Sequence, residues 1–407
     1  MPPTRTTTEL ARSFNYWDES LDRDPHTPLA QLRAQCPVAR SEELGGYWLV
    51  TSFERVRQVL TDPHTYSSRV LTLPPEGAPP LLVPETIDPP KHAGYRRVFT
   101  PYFTPRRAAQ LRERTRVKAA ELAAGLATQL AENGNCDFME GFAVPLPCTV
   151  FMELAGFPIA DLPQLLEWKD RFMRDGVSDD AAKRAEVSEV VMPAMMSYFN
   201  AALDERIAAT DPPDDLLTGL VTGEVADGET MTRDEILNAL LLMLAAGLDT
   251  VTAALGLSVA HLATAPGLRA ELVADPDLIP GAVEEFLRYY SLVTTCRQAN
   301  TDAVLGDAEI KAGDYLAVCG PSAGRDESVF PNADELDIRR TPNPHLAFGV
   351  GPHRCLGSHL ARMEMAVALE ELHKAMPDYR IEPGTEPRRH FGGVMGIDSL
   401  YLSAGSE

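Results

Sequence analysis

The sequence predicts a mainly α-helical protein with small β-sheets near each end, and three patterns carry that reading. A capped apolar segment starts at Thr232 and meets no proline until Pro266. Residues 105–132, 145–210 and Ser358–Ala375 repeat apolar side chains at helical spacing. Strand signals are confined to Tyr47–Val50, behind Gly45-Gly46, and to short runs around Gly306 and Gly313 within 301–318.

Taken in order, residues 1–15 begin with a polar stretch and are expected to be a disordered tail. Residues 52–60 follow the first strand as a helix. Residues 74–90 hold seven prolines in seventeen positions, which forbids a helix or a central strand. A proline-rich stretch of this length reads as a long ordered loop or a lid. The 145–210 region breaks at Pro158, Pro163 and Pro193, and 211–215 is a turn. The Ser358–Ala375 helix stops before Pro377.

The long apolar segment deserves separate treatment, because Thr232 and Glu235 form the S/T-x-x-E capping pattern that starts a helix. About 33 residues at roughly 1.5 Å rise would span about 50 Å through the core. Its centre reads Ala246-Gly247-Leu248-Asp249-Thr250, an acid and an alcohol where the surroundings are apolar. A buried carboxylate is costly unless paired or put to use. The plain alternative is a helix irregularity with Thr250 bonding back to the Ala246 carbonyl.

Composition bounds the function. Apolar residues make up 44% and charged residues 24% of 407, as in globular proteins. The net charge of −22 argues against nucleic acid or an anionic membrane as partner. The longest apolar run, 239–248, is ten residues, against roughly 18 for a membrane span. Six cysteines, none in a C-x-x-C pair, and no apolar leader point to a reducing cytoplasm.

One cysteine differs from the rest. Cys355 follows a glycine- and proline-shaped loop and precedes the Ser358 helix. Free N–H groups and the helix dipole there favour a thiolate, either a nucleophile or a metal ligand. The segment also contains Gly-Val-Gly, but G-x-G-x-x-G fails at its third glycine.

Residues 348–357 read Phe348-Gly349-Val350-Gly351-Pro352-His353-Arg354-Cys355-Leu356-Gly357. This resembles the F-x-x-G-x-H-x-C-x-G signature of the cytochrome P450 family. Glu285-Phe286-Leu287-Arg288 resembles that family's E-x-x-R helix, and Ala246-Gly247-Leu248-Asp249-Thr250 its oxygen-activating helix. With Asp88-Pro89-Pro90 and Ser291-Leu292-Val293, the chain is similar to the soluble bacterial branch that includes the camphor hydroxylases. The resemblance implies one domain over 1–407, with a long central oxygen-binding helix over haem b, iron protoporphyrin IX.

Within that resemblance, Cys355 is the iron ligand and Phe348, Gly349 and Gly357 shape its loop. Asp249 and Thr250 relay the protons that dioxygen reduction consumes. Ala246 and Gly247 leave room for O2. His92, Arg96, Arg297 and His353 meet the haem propionates. Glu285 and Arg288 are structural. The family's third member of that set is an arginine, and here Glu335 stands in its place, which makes Arg339 or Arg340 the substitute. Leu81, Leu82, Val83, Leu242, Ala245, Val293, Val394 and Met395 line the substrate pocket; each reads equally as ordinary core.

A second charge feature supports a redox partner. Residues 91–118 hold nine basic side chains and only Glu113, a net +8 against −30 for the rest. Charge runs are often plain solvated faces, but a basic face also suits an acidic iron–sulfur ferredoxin fed by an NAD(P)H-dependent reductase. The expected enzyme is a cytoplasmic monomer that inserts one atom of O2 into a small apolar substrate, a terpenoid or a small aromatic. Two alternatives are a peroxide-using haem hydroxylase and a non-catalytic haem protein that binds a ligand.

Overall fold

The structure is a computed structural model, and it describes residues 6–74, 81–177 and 181–405. The capped segment forms one continuous helix, Arg233–Thr264. The Thr232 hydroxyl accepts from the Glu235 N–H, and the Glu235 carboxylate accepts from the Thr232 N–H, closing the capping box. Its length and mean hydropathy of 1.9 would allow a membrane crossing, but 61% of its most apolar window is buried inside the protein. It is the core helix of this fold, and the ten-residue run seen in sequence understated its apolar reach.

The helix Pro105–Asn133 starts with proline in its first turn, under a Thr104 hydroxyl that accepts from the Arg107 N–H. It ends at Gly134, whose φ of +81° terminates the last turn. Packed against it is the helix Ser358–Ala375. The 145–210 region divides into Pro145–Ala155, Leu162–Arg174 and Met192–Ala208, with shorter turns between. The residue after the first of these, Gly156, has φ +84°.

Among the described residues, the main sheet has five strands in the order Val38–Ser41, Tyr47–Val50, Tyr315–Cys319, Thr294–Ala299 and Tyr66–Ser67. Only the Tyr47–Val50 and Tyr315–Cys319 pair is parallel. The short β runs expected around Gly306 form a hairpin, Ala303–Leu305 against Ala308–Ile310. Two expectations change. A helix, Thr7–Arg12, with its own capping box at Thr6 replaces the expected disorder over the described part of 1–15. A small hairpin, Glu224–Ala226 with Glu229–Thr230, also places β structure mid-chain. In the proline-rich 74–90 loop, residues 75–80 lie outside the described residues.

Glu285 and Arg288, on the helix Ile279–Tyr290, are both fully buried. Arg288 donates from Nε and Nη2 to the two carboxylate oxygens at 2.8 and 2.7 Å. The missing family arginine is supplied by Arg340, whose Nε lies 3.1 and 3.2 Å from the same oxygens. Arg339 instead pairs with Glu271 near the surface. Glu335 contributes its backbone carbonyl, which accepts from Arg288 and Arg340.

Arg340→Ala is expected to cost about 2 kcal/mol, because it strips a charged hydrogen-bond donor from a buried carboxylate. Arg339→Ala, which breaks an exposed pair, is expected to stay within about 0.5 kcal/mol of the parent. Urea unfolding of both variants decides between them, and equal losses would refute the assignment of Arg340.

Candidate active site

The cysteine loop owes its shape to two left-handed glycines, Gly349 at φ +64° and Gly351 at φ +81°. A side chain at 351 would also strike the Leu60 carbonyl at 2.6 Å. The chain then turns so that the Cys355 N–H donates to the Phe348 carbonyl at 2.8 Å. Gly357 caps the helix that begins at Ser358, and its backbone N–H bonds the Cys355 sulfur. Arg362 stacks over the Phe348 ring at 4.5 Å and pairs with Glu284, which ties the loop to the Glu285 helix.

Cys355 is exposed, yet the strongest influence on its thiol is burial among surrounding protein atoms. A residue both water-accessible and deeply surrounded lines a recess. Burial and the Glu85 carboxylate push the thiol up, while the Gly357 N–H, Arg96 and Arg354 pull it down. The net shift is upward. Without a bound cation beside it the surrounding protein favours the thiol, and the charge of a bound metal would favour the thiolate. Cys136, Cys148, Cys296 and Cys319 are buried, and burial pushes their thiols up to between about 11 and about 12.

The central helix opens at the same place. Residues 239–244 and 252–260 are buried, but Ala246 is exposed and Ala245, Gly247, Asp249 and Thr250 are partly so. Leu356, beside Cys355, packs into the apolar cluster that holds Leu240, Leu244 and Leu248 of this helix. Thr250 Oγ1 donates to the Ala246 carbonyl at 3.0 Å, as the plain helical reading expected. Gly247 also has a packing role. A side chain there would strike the Phe151 ring at 2.5 Å, so its smallness serves helix packing, and Ala246 is the small residue that faces open space.

Asp249 is paired. Lys169, 6% exposed, donates to its Oδ1 at 3.0 Å and lies 2.8 Å from Asp170. Burial pushes the ammonium down, but the two carboxylates outweigh it and the net shift is upward, so the pair is ionic. The sequence reading missed Lys169. Its signal was a lysine four residues after the buried Leu165, on the apolar face of the Leu162–Arg174 helix.

His92 and Arg96 on the helix Lys91–Phe99, Arg297 on Thr294–Ala299 and His353 in the cysteine loop form one cluster. The His92 and His353 rings lie 4.1 Å apart. Burial pushes His92 down to about 4 and His353 down to about 3, so both are neutral. His92 Nε2 and both His353 ring nitrogens are buried without a hydrogen-bond partner among the described residues. Arg297 is 4% exposed and bonds only Thr295 Oγ1 and the Cys296 carbonyl among the described residues. Two cations and unused imidazole nitrogens suit a group that carries two carboxylates, as haem does. Glu85, also unanticipated, lies 3.9 Å from His353, and burial pushes its carboxyl up against the pull of Arg297 and Arg96.

The substrate residues separate into two sets. Val293 is exposed and bridges Val394 across a strand contact, while Leu81, Ala245 and Val394 are partly exposed. Leu82, Val83, Leu242 and Met395 are core residues, all under 10% exposed. The basic segment also changes character in space. Arg107, Arg112, Arg114, Arg116 and Lys118 all form ion pairs, mainly to distant acids such as Asp214, Glu370 and Glu371. Lys91, Arg97, Arg106 and Arg354 are exposed and form none among the described residues.

Comparison with known proteins agrees with this geometry. The sequence model of the family described as Cytochrome P450 matches residues 178–389. A probable cytochrome P450 127A1 of Sinorhizobium fredii is 33% identical over 93% of this chain and 90% of that protein. The mycinamicin IV hydroxylase/epoxidase of Micromonospora griseorubida is 36% identical over 86% of this chain and 88% of its own. The crystal structure of CYP101J2 superposes with a TM-score of 0.85 at 27% identity, covering all of both chains. An EryK mutant bound to erythromycin B superposes with a TM-score of 0.81 at 32% identity, covering 93% of this chain and 95% of that one. The chain belongs to the cytochrome P450 family of haem-thiolate monooxygenases.

Proposed function

We propose that Cys355 is the thiolate ligand of the haem and that Asp249 and Thr250 deliver protons for insertion of one atom of O2 into a compact apolar substrate. The observation that carries this reading is the opening of an otherwise buried helix at Ala246 and Thr250, beside an acid held by a buried lysine.

His92, Arg96, Arg297 and His353 would hold the propionates. Bound haem supplies dioxygen binding and reductive O–O cleavage, which thiolate donation favours. The chain itself controls protons and access. Lys169 fixes Asp249 Oδ1 and leaves Oδ2 to take a proton from solvent. The Thr250 hydroxyl, oriented by its bond to the Ala246 carbonyl, passes a proton onward and regains one from Asp249. Such a relay is superfluous for a peroxide-using enzyme, so it favours O2.

Val293, Val394, Leu81 and Ala245 present an apolar lining without a charged anchor, which suits a terpenoid or small aromatic. Similar proteins are named as a mycinamicin IV hydroxylase/epoxidase, a vitamin D(3) 25-hydroxylase and a steroid C26-monooxygenase. Electrons would come from an acidic iron–sulfur ferredoxin and its NAD(P)H-dependent reductase. The docking face is narrower than the nine basic residues suggested, centring on Lys91, Arg97, Arg106 and Arg354. The enzyme is read as a cytoplasmic monomer.

Thr250→Ala, assayed with a surrogate ferredoxin and a substrate found by spin-state screening, is expected to keep consuming NADH. Product per NADH should fall about tenfold, with hydrogen peroxide making up the difference. Full coupling in this variant would remove Thr250 from the relay. Arg297→Gln is expected to weaken haem retention roughly tenfold to a hundredfold, the worth of one charged hydrogen-bond set. Haem transfer to a scavenging apo-globin measures it, and an unchanged transfer rate would contradict the propionate assignment.

A further inference from the structure

A small cavity adjoins Asp249, Thr252 and Ala253 of the central helix. Its volume is about 130 Å³, room for a few water molecules. Lys169, Asp170 and Asp249 line one wall, and His390 and Asp398 of the C-terminal hairpin line the other. Nothing in the sequence pattern assigned a role to His390 or Asp398.

The hairpin places this histidine with care. His390 lies opposite Gly396 in the pairing of Arg388–His390 with Gly396–Ser399. A side chain at 396 would strike His390 Nε2 at 2.7 Å and the Ala253 methyl of the central helix at 3.1 Å. Glycine therefore lets the imidazole lie against that helix. Its Nδ1 is 3.1 Å from Asp398 Oδ1. With a carboxylate acceptor there, Nδ1 carries the hydrogen and Nε2 keeps its lone pair. Side-chain exposure falls from Asp170 at 52% through His390 at 30% to Asp249 at 22% and Lys169 at 8%, a path from surface to interior.

We infer that this cavity is the proton-entry vestibule of the enzyme and that His390, oriented by Asp398, is its outer proton carrier. Nε2 accepts a proton from bulk water and releases it through cavity water to the free Asp249 oxygen. The imidazole returns to its neutral form, and Asp249 becomes the carboxylic acid that feeds Thr250. One proton moves and no electron does. The inference rests on the relay role of Asp249 proposed above, and Asp398 is a positioning residue.

The charged groups that face the imidazole set its response. Asp398 lies on the same hairpin, itself 3.2 Å from Arg388. From the neighbouring helix Ser20–Arg23 comes Asp22, which interacts electrostatically with His390. Across the cavity are Asp170, Asp249 and Lys169.

The test is an NMR titration of the histidine ring in isotope-labelled holoenzyme, wild type against Asp249→Asn. Loss of the carboxylate removes one negative charge from the cavity that His390 lines, while Lys169 keeps Asp170, so the His390 midpoint should fall by about half a unit. In parallel, His390→Gln should lower coupled turnover about threefold near neutral pH and flatten its pH profile, with the rate of the first reduction by ferredoxin unchanged. A His390 titration indifferent to Asp249, or a pH profile superimposable on wild type, overturns the proposal. The titration needs no turnover, so a failure of the oxygenation reading would leave it interpretable.

Discussion

The site depends on one buried carboxylate. Glu285 has no exposed surface and takes hydrogen bonds from Arg288, Arg340, Asn343 and the Asp337 N–H. Those donors come from its own helix and from the chain that leads into the cysteine loop. An uncompensated charge at that depth would cost several kcal/mol, so the segments cannot separate cheaply. The helix of Glu285 runs directly into the strand that carries Arg297, and the chain of Arg340 and Asn343 continues to Phe348 and Cys355. The buried charge thus ties the segment that leads to Cys355 to the one that carries Arg297.

The opposite wall is built on an economy of side-chain volume. The 32-residue helix is buried over 239–244 and 252–260 and opens between them, where Ala245, Ala246 and Gly247 are small. Gly247 admits Phe151 on one side, which presses the helix against Pro145–Ala155. Ala246 leaves space on the other. At this opening the helix carries its only acid beyond the first turn, Asp249, and Lys169 answers its charge from a helix about 80 positions earlier in the chain.

The sequence made local features legible and left distant pairings hidden. The Thr232 capping box, the Gly349 and Gly351 turns and the position of Cys355 before Ser358 were all readable because each depends on a few adjacent residues. The family resemblance narrowed the third partner to Arg339 or Arg340, and only the buried geometry separated the two. Lys169 and His390 carried weak signals, since their partners arrive through tertiary packing. The +8 segment misled for the same reason. Its arginines count as free along the chain, but Glu370 and Glu371 of the Ser358–Ala375 helix neutralise Arg112 and Arg116 in space.

The central claim is that Cys355 alone among six cysteines holds the haem iron. The reduced, carbon monoxide-treated protein tests it most directly, compared between wild type and Cys355→Ser. The account predicts the strong red shift of the Soret band that a thiolate ligand imposes in wild type. In Cys355→Ser haem should still bind, through Arg96, Arg297 and the two histidines, but the shift should vanish. A red-shifted band that survives in Cys355→Ser would contradict the account.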